Sequence, residues 1–379
     1  MSARPSGLPH QHLGTTRDGC FARTRCRWRV KVLLVKMSSL GDIVHTLPAV
    51  DDAVRHGVRF DWVVEENYRA VPALAAGVDR VVEVAFRRWR TAPFAYRAEL
   101  RAFRQRLRKR RYDLVLDAQG LLKSAAVACW THAGQRVGFD AASSRERAAT
   151  LAYDRRIAVS PNWHAIDRTR RLFADALGYV RPEGDAVFDL SCRGRNLGAR
   201  ADRAVVLAHG TTWSTKHWPE VFWTTLAQLV TAHGFVPVLP WTNGERGRAE
   251  RIANAAPGAR IWPRTDLDGV IRLLADASGV VGVDSGLAHL GGALGRPTVM
   301  LFGPSDPSRT GGRGPFVRNL AASLPCSPCG SRRCRLGREL GTRYEARGSG
   351  PPCLEAVAPA RAWAALTELM DRHRRGRVA

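Results

Sequence analysis

No run of about eighteen apolar residues occurs anywhere in the chain, which excludes a membrane-spanning helix. Lysine is scarce. Lys31, Lys36, Lys109, Lys123 and Lys216 are the only ones, so nearly all of the net charge of +25 comes from arginine. Acid is also short, with 34 Asp and Glu against 59 Lys and Arg. Such an excess fits arginine-rich solvated faces, or a polyanionic partner: nucleic acid, anionic lipid or a phosphorylated sugar. The planar guanidinium suits carboxylate and phosphate alike, so charge does not choose among them. No RNP, KH or zinc-finger signature is present and the basic residues are dispersed, so nucleic acid is not an expected partner. Residues 1–29 lack the apolar segment of a secretory signal and are expected to form a disordered or non-native N-terminal arm. Cys20, Cys26, Cys129, Cys192, Cys326, Cys329, Cys334 and Cys353 then point to a reduced cytosolic setting rather than a disulfide scaffold.

What is present is strand-helix alternation, twice. In the first half, strands are expected at Val30–Lys36, Phe60–Glu65, Val81–Ala85 and Asp113–Ala118. Helices are expected at Asp42–His56, Arg69–Ala76, Pro93–Arg111, Leu121–Thr131 and His164–Leu177, with 134–162 an irregular insertion. The grammar restarts with strands Ala204–His209, Phe235–Pro240, Val280–Asp284 and Thr298–Phe302, separated by helices. Solidly apolar strands between helices mean parallel sheets covered on both faces. The fold class is therefore α/β, with two Rossmann-like doubly wound domains, 30–180 and 201–358, facing a central cleft. Residues 181–200 form a linker and 359–379 a C-terminal helix. Ligands in such sheets bind beyond the carboxyl ends of the strands, so the loops there carry the chemistry.

Three of those loops stand out. "VKMSSLGDIVHTLPAV" places Asp42 and His45 after the first strand. Asp42 is either a functional carboxylate or an N-cap of its helix. "AHGTTWSTKHWPE" offers the hydroxyls of Thr211, Thr212 and Ser214 and the charge of Lys216 just before a helix, a phosphate-binding arrangement or an ordinary polar loop. "VVGVDSGLAHLGGALGRPTVMLFGPSDP" delivers Asp284, then Ser285 and Gly286 at a helix start, with His289 one turn in. Neither Gly-x-Gly-x-x-Gly nor the P-loop pattern occurs at these loops, which argues against a dinucleotide oxidoreductase and a P-loop ATPase.

Together with "DLVLDAQGLLKSA" and "RTRRLFADALGY", these stretches resemble the lipopolysaccharide heptosyltransferases of glycosyltransferase family 9, over about residues 30 to 320. The S-S-L-G-D-x-x-H-T-L-P-A form is similar to the branch that adds the first heptose (heptosyltransferase I) rather than the second. The resemblance implies a GT-B fold and an inverting, metal-independent transfer. The donor would be ADP-L-glycero-β-D-manno-heptose, a co-substrate, with no cofactor and no metal. The acceptor would be the Kdo of Kdo2-lipid A.

By the same resemblance Asp42 is the general base that takes the acceptor hydroxyl proton. Thr211, Thr212, Lys216, Glu245, Thr265, Asp284, Ser285, Gly286 and His289 fall on donor-binding positions. Among these, Glu245 would meet the ribose from a loop of unusual spacing, and Thr265 stands where a methionine often packs on adenine. Lys123 and Arg145 fall on acceptor-binding positions, where they would pair with carboxylates and phosphates. His45 either orients the acceptor or packs. The implied location is cytoplasmic, peripheral on the inner membrane and against its anionic surface. Cys326, Cys329, Cys334 and Cys353 leave two readings open, a zinc site or an ordered loop with reduced thiols. The rival functions are heptose transfer onto heptose and, from another class, a basic nucleic-acid-binding protein.

Overall fold

The computed structural model describes residues 30–190, 203–242, 244–336 and 350–378. The N-terminal arm and the second half of the linker lie outside the described residues.

The first lobe is a six-stranded parallel sheet: β1 Lys31–Val35, β2 Arg59–Glu65, β3 Val78–Val84, β4 Arg111–Asp117, β5 His132–Phe139 and β6 Arg155–Ile157, in spatial order β3-β2-β1-β4-β5-β6. The second lobe repeats the plan with β7 Ala204–Ala208, β8 Val236–Leu239, β9 Arg260–Ile261, β10 Gly279–Val283, β11 Thr298–Phe302 and β12 Val317–Ala321, in order β12-β11-β10-β7-β8-β9. Read from the other edge, that is the same winding. In each lobe the strand order reverses at one place, between β1 and β4 and between β7 and β10. A crevice opens there beyond the carboxyl ends of the strands.

The β1 run has no alternation because both faces of its sheet are covered. Val32 and Leu34 point into one apolar cluster, and Leu33 and Val35 into another on the opposite face. The first of these clusters continues into the second lobe through Val206, Ile271 and Leu290, so the lobes share packed apolar surface. The C-terminal helix, Pro359–Val378, does not stand apart. It buries Ala362, Trp363, Leu366, Leu369 and Met370 on the second lobe.

Several expected elements differ. The single helix expected at Asp42–His56 is two, Leu40–Val44 and Leu47–Arg55. Pro48 has no N–H for the carbonyl of Val44, so the ladder breaks there. Arg69–Ala76 forms no helix; two 3-10 turns, Glu66–Tyr68 and Pro72–Leu74, occupy this region, with Pro72 as the interrupter. The basic helix is shorter than expected, Arg97–Arg108, because Arg111 already opens β4. The supposed insertion 134–162 contains β5 and β6. Polar residues of β5 such as Gln135 and Arg136 hide a strand near the sheet edge. The short strands β9 and β12 also went unrecognised.

Buried charge fastens the helix Leu47–Arg55 to the helix Ala165–Leu177. Arg170 Nε donates to Asp52 Oδ2 at 2.6 Å, and its other nitrogens reach the Pro182 and Gly184 carbonyls at 3.0 and 3.1 Å. The neighbouring Asp51 is buried without a cation of that quality. Its Oδ2 accepts the Asp189 amide at 2.7 Å, and burial raises its pKa to about 7. The folded chain therefore holds a proton here that the unfolded chain releases near pH 4, and this site loses stabilising free energy as pH rises from 4 to 7. Asp51→Asn keeps an acceptor for the amide and removes the charge. The variant is expected to be more stable by about 2 kcal/mol at pH 8 and no more stable at pH 4, measured by urea unfolding at both pH values.

Candidate active site

Each loop at the two reversal points faces the other lobe. On the first lobe, β1 ends at Val35 and the chain turns through Lys36–Ser39 into the helix Leu40–Val44. Ser39 N and Ser39 Oγ both donate to Asp42 Oδ2 at 2.8 Å, which closes a capping box at this helix. The N-terminal role is therefore real, though Asp42 sits at the third helical position and Ser39 is the cap. Burial opposes the charge of Asp42. The Lys36 ammonium and the two Ser39 bonds outweigh it and hold the carboxyl below its ordinary range. From the helix Leu122–Trp130, which follows β4, Lys123 Nζ donates to Ser38 Oγ at 3.2 Å, so one of the two expected acceptor-side residues lies beside the Asp42 turn. Arg145 is exposed, and its backbone passes close to Gly120 in the loop after β4.

On the second lobe, Lys216 Nζ donates to Asp284 Oδ2 at 2.5 Å and His289 Nε2 to Asp284 Oδ1 at 3.2 Å. Burial works against the Asp284 charge. The His289 bond and the Lys216 charge overcome it and hold the carboxyl well below the usual range. Ser285 caps the helix Gly286–Ala293, and its Oγ is buried with no hydrogen-bond partner among the described residues. Glu245 folds back over the loop after β7. Its Oε2 accepts from Thr242 N and Thr242 Oγ1 at 2.9 and 2.8 Å, and its carboxylate occupies the space a Cβ on residue 210 would need. Gly210 is thus the residue that lets Glu245 approach. Thr211 is half-buried, and Thr212 is exposed beside it. Thr265 lies just after β9, exposed, with its side chain filling the space beside Gly269.

The lobes meet at the site itself. Leu40 fills the space in front of Gly286, and the helix Leu40–Val44 packs on the helix Gly286–Ala293. His45 Nε2 lies 3.2 Å from His289 Nδ1. Assigning hydrogens from the partners, Asp284 accepts from His289 Nε2, which leaves Nδ1 to accept from His45. Burial and the adjacent His289 push the His45 pKa well down, so it stays neutral as that network requires. A continuous chain Lys216–Asp284–His289–His45 therefore crosses the junction, and His45 packs rather than facing open cleft. His164 makes a second crossing: its Nδ1 accepts from Ile166 N and its Nε2 donates to Gly311 O at 2.9 Å. Arg313 makes a third, with two bonds to Asp167 at 3.0 and 2.6 Å. A carboxylate on one lobe and a lysine-bearing polar loop on the other can serve a group transfer between two bound substrates.

A model of glycosyltransferase family 9 (heptosyltransferase) matches residues 100–339. Lipopolysaccharide heptosyltransferase 1 of Pseudomonas aeruginosa is 43% identical over 342 residues, 88% of this chain and 96% of the relative. The Salmonella typhimurium protein of that name is 44% identical over 305 residues, 79% and 95%. The structure of the E. coli heptosyltransferase WaaC with ADP superposes with a TM-score of 0.77 at 37% identity, covering 90% of this chain and all of that one. The chain belongs to glycosyltransferase family 9. It is a glycosyltransferase of the heptosyltransferase kind, and its fold is GT-B.

Some residues of this family member escaped sequence reasoning. Lys36 ended an apolar run and looked like its boundary. It is buried, donates to Ala118 O at 2.8 Å and lies between the Asp42 and Asp117 charges. Burial lowers its pKa, against the pull of both carboxylates. Gln119 Oε1 accepts the Met37 and Ser38 amides at 3.0 and 3.2 Å and so shapes the turn that carries Asp42. Arg168, from the helix after β6, has a buried Nε without a partner among the described residues, and Arg145 and Arg309 are close enough to lower its pKa further after burial. Three guanidinium groups gathered at the lobe junction suit an anion. Only Arg145 was singled out, because an arginine inside a helix reads as solvated.

The cysteine segment also reaches this region. Thr215 Oγ1 donates to Ser331 O at 2.9 Å, Gly330 N to Pro304 O at 2.7 Å, and the Arg332 guanidinium lies 4.7 Å from the centre of the Trp213 ring, which Lys216 also approaches at 4.5 Å. Burial, with the Cys334, Cys329 and Cys326 thiols nearby, pushes the Cys353 thiol up to about 11. Among the described residues no three His, Cys, Asp or Glu side chains are arranged to hold a metal ion. The described part of the segment, up to residue 336, lies beside Thr215.

Proposed function

We propose that the protein transfers L-glycero-D-manno-heptose from ADP-heptose, with inversion and without a metal, onto the Kdo of Kdo2-lipid A, the first heptose of the lipopolysaccharide inner core. The observation that carries this reading is the placement of Asp42 and of the Lys216–Asp284 pair on facing loops at one lobe junction. Relatives named lipopolysaccharide heptosyltransferase 1 support the sugar and the position in the core. WaaC solved with ADP and with ADP-2-deoxy-2-fluoro heptose supports the donor.

Both Ser39 bonds fall on Oδ2 of Asp42, so Oδ1 is the oxygen for the acceptor hydroxyl. Asp42 takes the proton as that oxygen attacks the anomeric carbon and the bond to the ADP phosphate breaks. Charge then grows on the leaving diphosphate. Lys216, Thr211, Thr212 and the amides at the start of the helix Gly286–Ala293 stabilise it, with Ser285 Oγ as a further hydroxyl. Asp284 holds Lys216 in position. Glu245 meets the ribose and Thr265 the adenine side. Lys123 and Arg145 pair with acceptor carboxylates and phosphates. With such an acceptor the enzyme works at the cytoplasmic face of the inner membrane, and no helix among the described residues is long and apolar enough to cross it.

The test is turnover with defined substrates. ADP-heptose and Kdo2-lipid A are expected to give a product heavier by one heptose and free ADP, with activity retained in EDTA. Transfer only onto an acceptor already carrying heptose would mean the second-heptose activity instead.

A further inference from the structure

Among the exposed apolar side chains of the first lobe, three lie on neighbouring elements and are uncovered by the described residues: Phe94 at 81%, Leu151 at 81% and Leu122 at 55%. They come from elements packed side by side. Phe94 precedes the helix Arg97–Arg108, whose Arg104 guanidinium lies 5.0 Å from the centre of the Trp130 ring. Trp130 ends the helix Leu122–Trp130, and that helix packs through Ala125 on Ala149 of the 3-10 turn Arg147–Ala152, which carries Leu151.

Along the helix beside Phe94 the charge is almost all of one sign, while Leu122 has an acid next to it, its N–H donating to Glu146 Oε2 at 2.6 Å. Arg97, Arg101, Arg104 and Arg108 recur every three or four residues and form one stripe along the helix, flanking the side that buries Phe103 and Leu107. Between Phe86 and Arg111 the sole acid is Glu99, and it is engaged by Arg88 at 2.8 and 2.9 Å and by Trp89 Nε1 at 3.0 Å. The Arg97 guanidinium lies 5.9 Å from the centre of the Phe94 ring, so cation and apolar tip stand together.

We propose that this face docks on an anionic lipid bilayer, with Phe94, Leu122 and Leu151 dipping into the acyl boundary and the arginine stripe on the headgroup phosphates. Phosphate recognition alone has no use for exposed aliphatic tips, whereas the paired chemistry of apolar tips and basic flank is that of an interfacial element. The face includes Leu122, which adjoins Lys123 at the carboxyl edge of the sheet, so docking would bring the site to the lipid surface. The inference rests on the lipid-borne acceptor proposed above.

The experiment is co-sedimentation of the full chain with phosphatidylglycerol/phosphatidylethanolamine vesicles and with pure phosphatidylcholine vesicles. The wild-type chain is expected to sediment with the anionic vesicles only. The pairs Arg97→Glu/Arg101→Glu and Phe94→Asp/Leu151→Asp should each cut that binding by about tenfold or more. Both should keep the wild-type melting temperature and full transfer onto a delipidated Kdo acceptor, while losing transfer onto acceptor embedded in vesicles. Wild-type protein that stays in the supernatant, or variant pairs that sediment like wild type, would overturn the proposal. So would a charge-reversed pair that loses duplex DNA but keeps vesicles. A chain that sediments as expected yet transfers heptose to neither acceptor would sink the proposed activity and leave the docking face standing.

Discussion

Asp42→Asn is expected to lower the turnover number by about 10³-fold while ADP affinity stays within about twofold. Asparagine keeps an oxygen for the Ser39 N–H and Oγ–H, so the capping box at the helix Leu40–Val44 persists and loss of fold is not the cause. What goes is the one group at this turn able to accept a proton from the acceptor alcohol. ADP should be unaffected because its expected contacts lie on the other lobe, around Lys216 and Ser285. The pH profile adds a second reading. Burial raises the Asp42 pKa, but Lys36 and Ser39 lower it by more, so the base stays ionised to below its usual range. Wild-type turnover should therefore keep its base through the mildly acidic region and lose it only below the ordinary carboxylate range. The measurements are single-turnover rates from pH 4 to 8 and ADP titration calorimetry. Turnover within a few-fold of wild type in the variant would remove Asp42 from the chemistry.

Lys216→Ala is expected to weaken ADP by about 10- to 100-fold, the cost of one charge-assisted hydrogen bond to phosphate, and to slow turnover as well. AMP should lose much less, because the ammonium is aimed at the diphosphate in this reading. The loss has a second source. Asp284 is nearly buried and depends on Lys216 and His289 for its charge, so truncating Lys216 leaves that carboxylate half-paired. Lys216→Arg separates the two effects: it restores the pair with Asp284 and should recover stability more fully than turnover, since the guanidinium is not a compact point charge. Calorimetry with ADP and AMP and thermal melts of the three proteins decide it. Equal losses for ADP and AMP would assign Lys216 a structural role.

These two residues sit at opposite ends of one arrangement. Lys216, Asp284, His289 and His45 form a hydrogen-bonded line across the junction, and Asp42 is three residues before His45 on the same short stretch. The Lys216–Asp284 pair and the turn carrying Asp42 are thus mechanically tied.

Much of this was legible in the chain. Apolar runs such as "VLLV" and "AVVLA" announced strands covered on both faces. The polar loops that follow β1, β7 and β10 fell at the two reversal points, so Asp42, Lys216, Asp284 and Ser285 were candidates from position, with their roles implied by the resemblance. Lys123, a candidate through the resemblance, reaches the Asp42 turn through Ser38. Less legible were the strands β5, β6, β9 and β12. They are short or near the sheet edges, so they need little apolar signal and gave none.

The sequence by itself determined the local choices: which segments become buried strands, where Pro48 interrupts a helix, and which hydroxyls, acids and cations stand beyond the strand ends. Those depend on neighbours a few residues away, through side-chain burial, backbone donors and caps. Tertiary structure alone decided the pairings: His45 on His289, Arg170 on Asp52, Glu245 over Gly210, and a buried Lys36 between two carboxylates. Those partners lie 118 residues apart for the Asp52–Arg170 pair and 244 for the two histidines. The strength of a charge or a hydrogen bond depends on how far its surroundings exclude water, and that is set by the packing of both lobes together.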